Sequence, residues 1–340
     1  MKSLIELTNS IEKIKQEIFW KSRQFKKKYE DYYEKQDKYA IYLLSDYKML
    51  GYIEINTFLY DRKLYFAELR KNLFTVIDRI FEKKKKLGKE ELKQDFVDNI
   101  YYTFYKIIKS IIVIDGLFKN APKLDEDIYV YRGVSFLDPY YEKQMTEKLK
   151  SLRKGQSFSF ENYLSTTLMN SVAMDDFILS GFAKNNEPKC CLFKIFLPKG
   201  SRILYLDSKQ TGFGNNKNNK VQLLSEYEVL LPRSSLLKFI KSYTISGKIP
   251  RSCTLEELQS GKINDILVYE FKYIGIDPNR EKFSDDINND YFKNFIKDFN
   301  YISFDVSKYD LTPYQDKKNI KKIIDNFDVD RKKRIKSFHH

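Results

Sequence analysis

The chain has 340 residues, with 61 Lys+Arg against 47 Asp+Glu for a formal charge of +14, and 42% of its residues are hydrophobic. This excludes a disordered chain and predicts about two globular domains. No apolar run approaches the roughly 20 residues that a membrane-spanning helix needs.

The scarce residues narrow the chemistry further. The two histidines are His339 and His340, read here as solvated tail residues, the stump of a purification tag. Histidine-based nucleophile systems and imidazole zinc sites are therefore not expected. Cys190, Cys191 and Cys253 are too few for a four-thiolate site, so no metal is expected. The adjacent pair reads as strand filling in a reducing compartment. Met1–Glu6 lacks the apolar stretch of a signal peptide, which predicts an intracellular chain with no membrane partner. An AT-rich coding sequence would by itself enrich Lys, Tyr, Phe, Ile and Asn, so the charge alone does not establish a nucleic-acid partner.

In chain order, Leu7, Ile11, Ile14, Ile18 and Phe25 recur at helical spacing from Leu4 onward. The stripe is either a core-facing helix or a short coiled-coil seam. The first is favoured because Lys21 and Lys28 fall on the seam. Helical patterning continues through Tyr39–Leu59, Leu64–Phe81 and Glu90–Ile114, with Lys83–Lys86 marking a solvated helix end. After Pro122 the texture becomes β-rich. Strands are predicted at Ile128–Val134, Ser157–Leu164, Cys191–Leu197, Arg202–Leu206, Tyr227–Leu231, Leu236–Ile245 and Ile266–Tyr273, with one further helix at Ser171–Ala183. Helices followed by clustered strands make the fold class α+β.

A long polar segment runs from Asp207 to Ser225, of the kind that is commonly functional or disordered. Its Gly212-Phe213-Gly214 is not a dinucleotide fingerprint, because Lys217 stands where the third glycine belongs. There is no phosphate-binding G-x-x-x-x-G-K-[ST] loop. From Asp277 the chain is polar and helical in tendency, and Lys317–Lys336 is dense in charge. The two ends of the chain, a helical N-terminal stretch and a polar, helical C-terminal one, read as extensions of a central domain. They read as structural supports or recognition arms, with support favoured.

Three patterns bear on chemistry. In Val130-Tyr131-Arg132-Gly133-Val134 an arginine lies in a strand. Its planar fork suits either a phosphate or, more commonly, a carboxylate at the strand edge. In Phe158–Thr167 a strand ends in Ser165, Thr166 and Thr167, for which helix capping is the default role. In Ser225-Glu226-Tyr227-Glu228-Val229-Leu230-Leu231-Pro232 two carboxylates stand two residues apart, projecting to one side if the backbone is extended. An exposed strand face explains that pair equally well in isolation.

Taken in order, the three patterns resemble the R-S-E class of ADP-ribosyltransferases, in particular the arginine-directed branch that includes actin-modifying binary toxins. Cys191–Ser201 is similar to the strand before that family's catalytic loop, and Glu226–Arg233 to the strand that ends it. Tyr47–Leu59 resembles the helices that lead into the domain. The likeness covers about residues 37–276, and so implies a catalytic domain there, with 1–36 as a helical N-terminal extension and 277–340 as a polar, helical C-terminal one. It implies an ADP-ribosyltransferase-like core of two roughly perpendicular β-sheets, with NAD bound as a substrate in the cleft between them. By this resemblance Arg132 binds an NAD phosphate and the Gly133 backbone approaches the nicotinamide carboxamide. Ser165 orients Glu228, Asn162 helps hold the adenosine side, and Thr166 and Thr167 complete the NAD-binding hydroxyls. Glu228 contacts the nicotinamide ribose and Glu226 faces the acceptor. Thr167 replaces the family's usual serine.

Leu223 and Leu224 stand where the toxins often present an aromatic residue to the target, and Phe213 is the substitute farther back. Lys184 is a weak candidate for a further basic NAD contact. The expected activity is transfer of one ADP-ribose to a protein arginine. The alternatives are the same chemistry on nucleic acid, and a non-catalytic binding module.

Overall fold

The computed structural model describes residues 20–61, 89–135, 147–169, 172–173, 190–207, 226–245 and 266–283. The chain divides into two compact units, Met1–Asp37 with Leu117–Arg280, and Lys38–Gly116 with Glu281–His340. The resemblance implies boundaries after residues 36 and 276; by compactness the chain divides after Asp37, Gly116 and Arg280.

In the second unit, helix α2 (Lys38–Asp46) passes through a π-helical turn (Tyr47–Gly51) into α3 (Tyr52–Tyr60). The sequence reads this stretch as one helix. Gly51 permits the wide turn, because a Cβ there would meet the Asp46 carbonyl oxygen at 3.0 Å. The long helix α4 spans Lys89–Asn120, and within it Phe104, Ile107, Ile108, Ile111 and Ile114 are buried at spacings of three and four. Phe58 and Phe104 meet edge-on at 5.6 Å, and Lys106 pairs with Asp46 at 2.7 Å. The helix predicted at Leu64–Phe81 and nearly all of that at Ser171–Ala183 lie outside the described residues.

The first unit holds the sheet. Its strands are β1 (Ile128–Ser135), β2 (Ser157–Phe160), β3 (Leu164–Thr167), β4 (Cys190–Leu197), β5 (Leu204–Tyr205), β6 (Glu228–Leu231), β7 (Ser235–Ile245) and β8 (Ile266–Ile276). They join in the order β2-β7-β8-β4-β1-β3-β6-β5. β4 and β8 run parallel and the other pairs are antiparallel. β1 and β4 match over eight residues, whereas β1 and β3 share one register pair, Tyr131↔Thr167. Five strands and three strands therefore meet at a narrow seam, where the implied two-sheet core becomes one hydrogen-bonded run.

The predicted strand Ser157–Leu164 is two strands. Its halves pair with β7 and with β6, far apart in the sheet order, so the chain must bend at Glu161–Asn162. Asparagine suits such a bend. Arg202–Leu206 shortens to two residues, with Arg202 bridging to Lys123 and its guanidinium donating to the Ala121 carbonyl.

One sheet face carries Phe158, Phe160, Phe193, Tyr269 and Phe271, all buried. Phe158 and Phe160 lie 4.6 Å apart, and Phe193 and Phe271 lie 5.4 Å apart, both edge-on. Each such ring contributes about 1.5–3 kcal/mol by leaving water. On the other face Lys194 approaches Glu270 at 3.4 Å. Burial there works most strongly against the charged lysine, but Glu270, Tyr243 and Tyr129 together outweigh it and raise its pKa.

A first helix, α1 (20–33), belongs to this unit. Its stripe continues from Phe25 through Tyr29, Tyr32 and Tyr33, all buried, which is the core-facing arrangement. The seam lysines face outward to acids, Lys21 to Glu126 at 3.2 Å and Lys28 to Asp125 at 2.6 Å. Residues before 20 lie outside the described part. Among the described residues no helix is long and apolar enough to cross a membrane.

Candidate active site

The short strands β3 and β6 position the polar groups. In their register Thr167 faces Glu228 and Ser165 faces Leu230, so Ser165 and Glu228 are diagonal neighbours on one face. Ser165 Oγ donates to Glu228 Oε1 at 2.6 Å. Glu228 is only 8% exposed, and the rest of β6 is fully buried between β3 and β5. A carboxylate so enclosed depends on protein donors for its orientation.

Arg132 joins this pair across the seam. Its Nη1 donates to the Ser165 carbonyl oxygen at 2.7 Å, so one residue of β3 is held by the guanidinium through its backbone and by Glu228 through its hydroxyl. Arg132, Ser165 and Glu228, separated widely in the chain, thus form one connected set. Gly133 follows Arg132 in β1, opposite Leu192. Asn162 lies half-buried in the bend between β2 and β3.

The other two hydroxyls are engaged with β6. Thr166 Oγ1 donates to the Val229 carbonyl at 2.6 Å, and Thr167 Oγ1 to the Glu226 carbonyl at 2.7 Å. Thr167 Oγ1 also accepts from the Met169 N–H at 3.1 Å. Thr166 therefore ties β3 to β6, and Thr167 ties β3 to the turn before β6.

The carboxylate pair departs from the extended geometry expected of it. Tyr227 has φ of 49°, in the left-handed region, and the strand begins at Glu228. The alternation that would send Glu226 and Glu228 to the same side does not cross that bend. Its N–H donates to Asp207 Oδ2 at 2.5 Å, and its carbonyl accepts from the Leu168 N–H at 3.2 Å. Sequence reasoning counted Asp207 only as the start of a loop. Phe213, Leu223, Leu224 and Lys184 lie outside the described residues.

A second group missed from the sequence is the tyrosine brace behind β5. Tyr33 O–H donates to the Tyr205 carbonyl at 3.1 Å, Tyr29 O–H to the Ile203 carbonyl at 3.0 Å, and Ser22 Oγ and Tyr205 O–H share a hydrogen bond of 2.7 Å. Burial raises the pKa of Tyr33 well above its ordinary value, and electrostatic coupling to Tyr29, Tyr32 and Glu228 adds to the effect. The brace thus lies within electrostatic reach of Glu228. Its signal in the sequence was a tyrosine stripe at helical spacing, which reads as ordinary core. Among the described residues no cluster of His, Cys, Asp and Glu is arranged to hold a metal.

The described strands thus gather an arginine, a serine and a buried glutamate at one seam of an α+β fold. A family model described as ADP-ribosyltransferase exoenzyme matches residues 91–268, just over half of the chain, and the chain belongs to that family. It is an NAD-dependent ADP-ribosyltransferase. No curated protein matches the chain in sequence. Among solved structures it is similar to C3larvin toxin, an ADP-ribosyltransferase from Paenibacillus larvae, at 20% identity and TM-score 0.39 over 73% of this chain and 93% of that one. It is also similar to Plx2a, an ADP-ribosyltransferase toxin from the same organism, at 17% identity and TM-score 0.42, over 75% and 96%. A third is the ADP-ribosylating toxin BECa of C. perfringens, solved with NADH, at 19% identity and TM-score 0.41, over 74% and 47%.

Proposed function

We propose that this chain is a mono-ADP-ribosyltransferase of the R-S-E class that moves ADP-ribose from NAD to an arginine side chain of a protein. The observation that carries the reading is the short hydrogen bond from Ser165 to Glu228, with Arg132 fastened to the same serine. In the proposed step the bond between nicotinamide and the ribose anomeric carbon breaks. Its electron pair leaves with nicotinamide, neutralising the pyridinium ring, so no acid is required. Positive charge then develops on the sugar, as in glycoside hydrolysis, and the enclosed Glu228 carboxylate stabilises it. A guanidinium nitrogen attacks the anomeric carbon, and its proton passes to Glu226 and on to solvent. Two glutamates in Glu226-Tyr227-Glu228 favour arginine, since relatives that modify asparagine usually carry glutamine at the first position. Arg132 is assigned to an NAD phosphate, and the Gly133 backbone and Asn162 to the nicotinamide and adenosine sides.

The test offers labelled NAD with a mixture of proteins and with oligonucleotides, and identifies the modified residue by mass spectrometry. Label on protein arginine, lost in Glu228→Ala, is the expected result. In Glu226→Gln, transfer is lost while cleavage of NAD persists. Label on oligonucleotides alone would replace the acceptor, and no NAD binding by calorimetry would leave only a binding module.

A further inference from the structure

We propose that Asp207 is a positioning residue that sets where Glu226 stands relative to Glu228, and so governs transfer more than cleavage of NAD. The proposal rests on the transferase reading above. Glu228 is placed by its strand: it pairs with Thr167 on one side, and its carbonyl accepts from the Leu206 N–H at 3.0 Å on the other. Glu226 lies outside that ladder, beyond Tyr227, so its position is set by the turn and not by the pleat. The turn is one that a bulky residue resists, because the left-handed region brings Cβ against the backbone. Such a conformation persists only where its surroundings hold it from several sides.

Here the ties are distinct. From β3, the Thr167 hydroxyl donates to the Glu226 carbonyl and the Leu168 N–H to the Tyr227 carbonyl. From the β5 side, the Asp207 carboxylate takes the Tyr227 N–H. Beyond Leu206 the backbone ladder of β5 and β6 ends, and there the side chain of the next residue, not a backbone group, accepts from the Tyr227 N–H. A carboxylate makes this a charge-assisted bond. Loss of it frees Tyr227 to relax toward extended backbone, carrying Glu226 away while Glu228 stays on its strand.

The experiment measures NAD hydrolysis and transfer to a small guanidine acceptor in parallel, for wild type, Asp207→Ala, Asp207→Asn and Asp207→Ala/Tyr227→Gly. Asp207→Ala is expected to lower the transfer-to-hydrolysis ratio by about tenfold, the scale of a sub-ångström to ångström misplacement. Asparagine, which can still accept from the Tyr227 N–H, recovers most of the ratio. Glycine at 227 recovers part of it, because it enters the left-handed region without penalty. Equal loss of both activities, with the ratio unchanged, would show that Asp207 only supports the fold and would overturn the proposal. If wild type modifies no guanidine but labels another acceptor, the arginine reading fails, and the same ratio measured with that acceptor decides the role of Asp207. Wild type that neither cleaves nor transfers overturns both.

Discussion

Removing the Ser165 hydroxyl tests the link on which the site depends. Ser165→Ala deletes a 2.6 Å hydrogen bond to Glu228 Oε1. The glutamate is 8% exposed, so water replaces the lost donor poorly. A hydrogen bond to a charged group is worth about 1.5–3 kcal/mol, and each ~1.4 kcal/mol in a barrier is tenfold in rate. If the bond serves to hold the carboxylate for the transition state, kcat for NAD cleavage falls by roughly 10- to 150-fold. The same loss lowers the melting temperature only modestly, by roughly 1.4 °C for each kcal/mol in a protein of this size, at ~2.1 cal/mol/K of unfolding entropy per residue. The assay is steady-state nicotinamide release, with thermal melting alongside to establish that the variant is folded. A cycle with Glu228→Gln completes it: since Ser165 is argued to act through Glu228, the double variant should be no slower than Glu228→Gln alone. A Ser165→Ala enzyme within twofold of wild type, or losses that simply multiply, would refute the argument.

Other consequences concern the brace. Tyr33→Phe leaves the buried Tyr205 carbonyl without the 3.1 Å donor it now has, and is expected to lower stability by about 1–3 kcal/mol in denaturant titration. An unchanged midpoint would show that the bond is not a support of β5. The pH dependence has a definite sign. Burial raises the pKa of Tyr29, Tyr33 and Tyr205 above the ordinary value of 10.0, and pushes Tyr32 up to about 12. Below pH 10 the folded and unfolded chains both keep these protons, and stability is intact. Above it the unfolded chain ionises first, so stability falls as pH rises toward 12, by up to ~1.4 kcal/mol per pH unit for each tyrosine. Melting temperature measured across that range should drop steeply, and a flat profile would contradict the buried, neutral brace.

Much of the first unit was legible from local pattern. Ile128–Val134 and Leu236–Ile245 were placed within a residue of β1 and β7, because a strand's alternation and its flanking turn residues are properties of a few neighbouring positions. Arg132, Ser165 and the two glutamates were legible as residue types in a fixed order. That the β3–β6 pair would bring Ser165 to Glu228, and the β1–β3 seam would bring Arg132 to Ser165, depended on register, which no local window contains.

The amino-acid order by itself therefore determined the succession of helices and strands, the absence of internal histidine, and which polar residues were available for chemistry. The tertiary structure alone decided the break at Glu161–Asn162, the left-handed turn at Tyr227, its tie to Asp207, and the brace from α1. Each arises from partners distant in the chain: Asp207 and Tyr227 are 20 residues apart, Tyr33 and Tyr205 are 172, and Ser22 and Tyr205 are 183. Hydrogen bonds to buried carbonyls and carboxylates form only where the fold has already excluded water, so their partners are chosen by packing and not by neighbours in sequence.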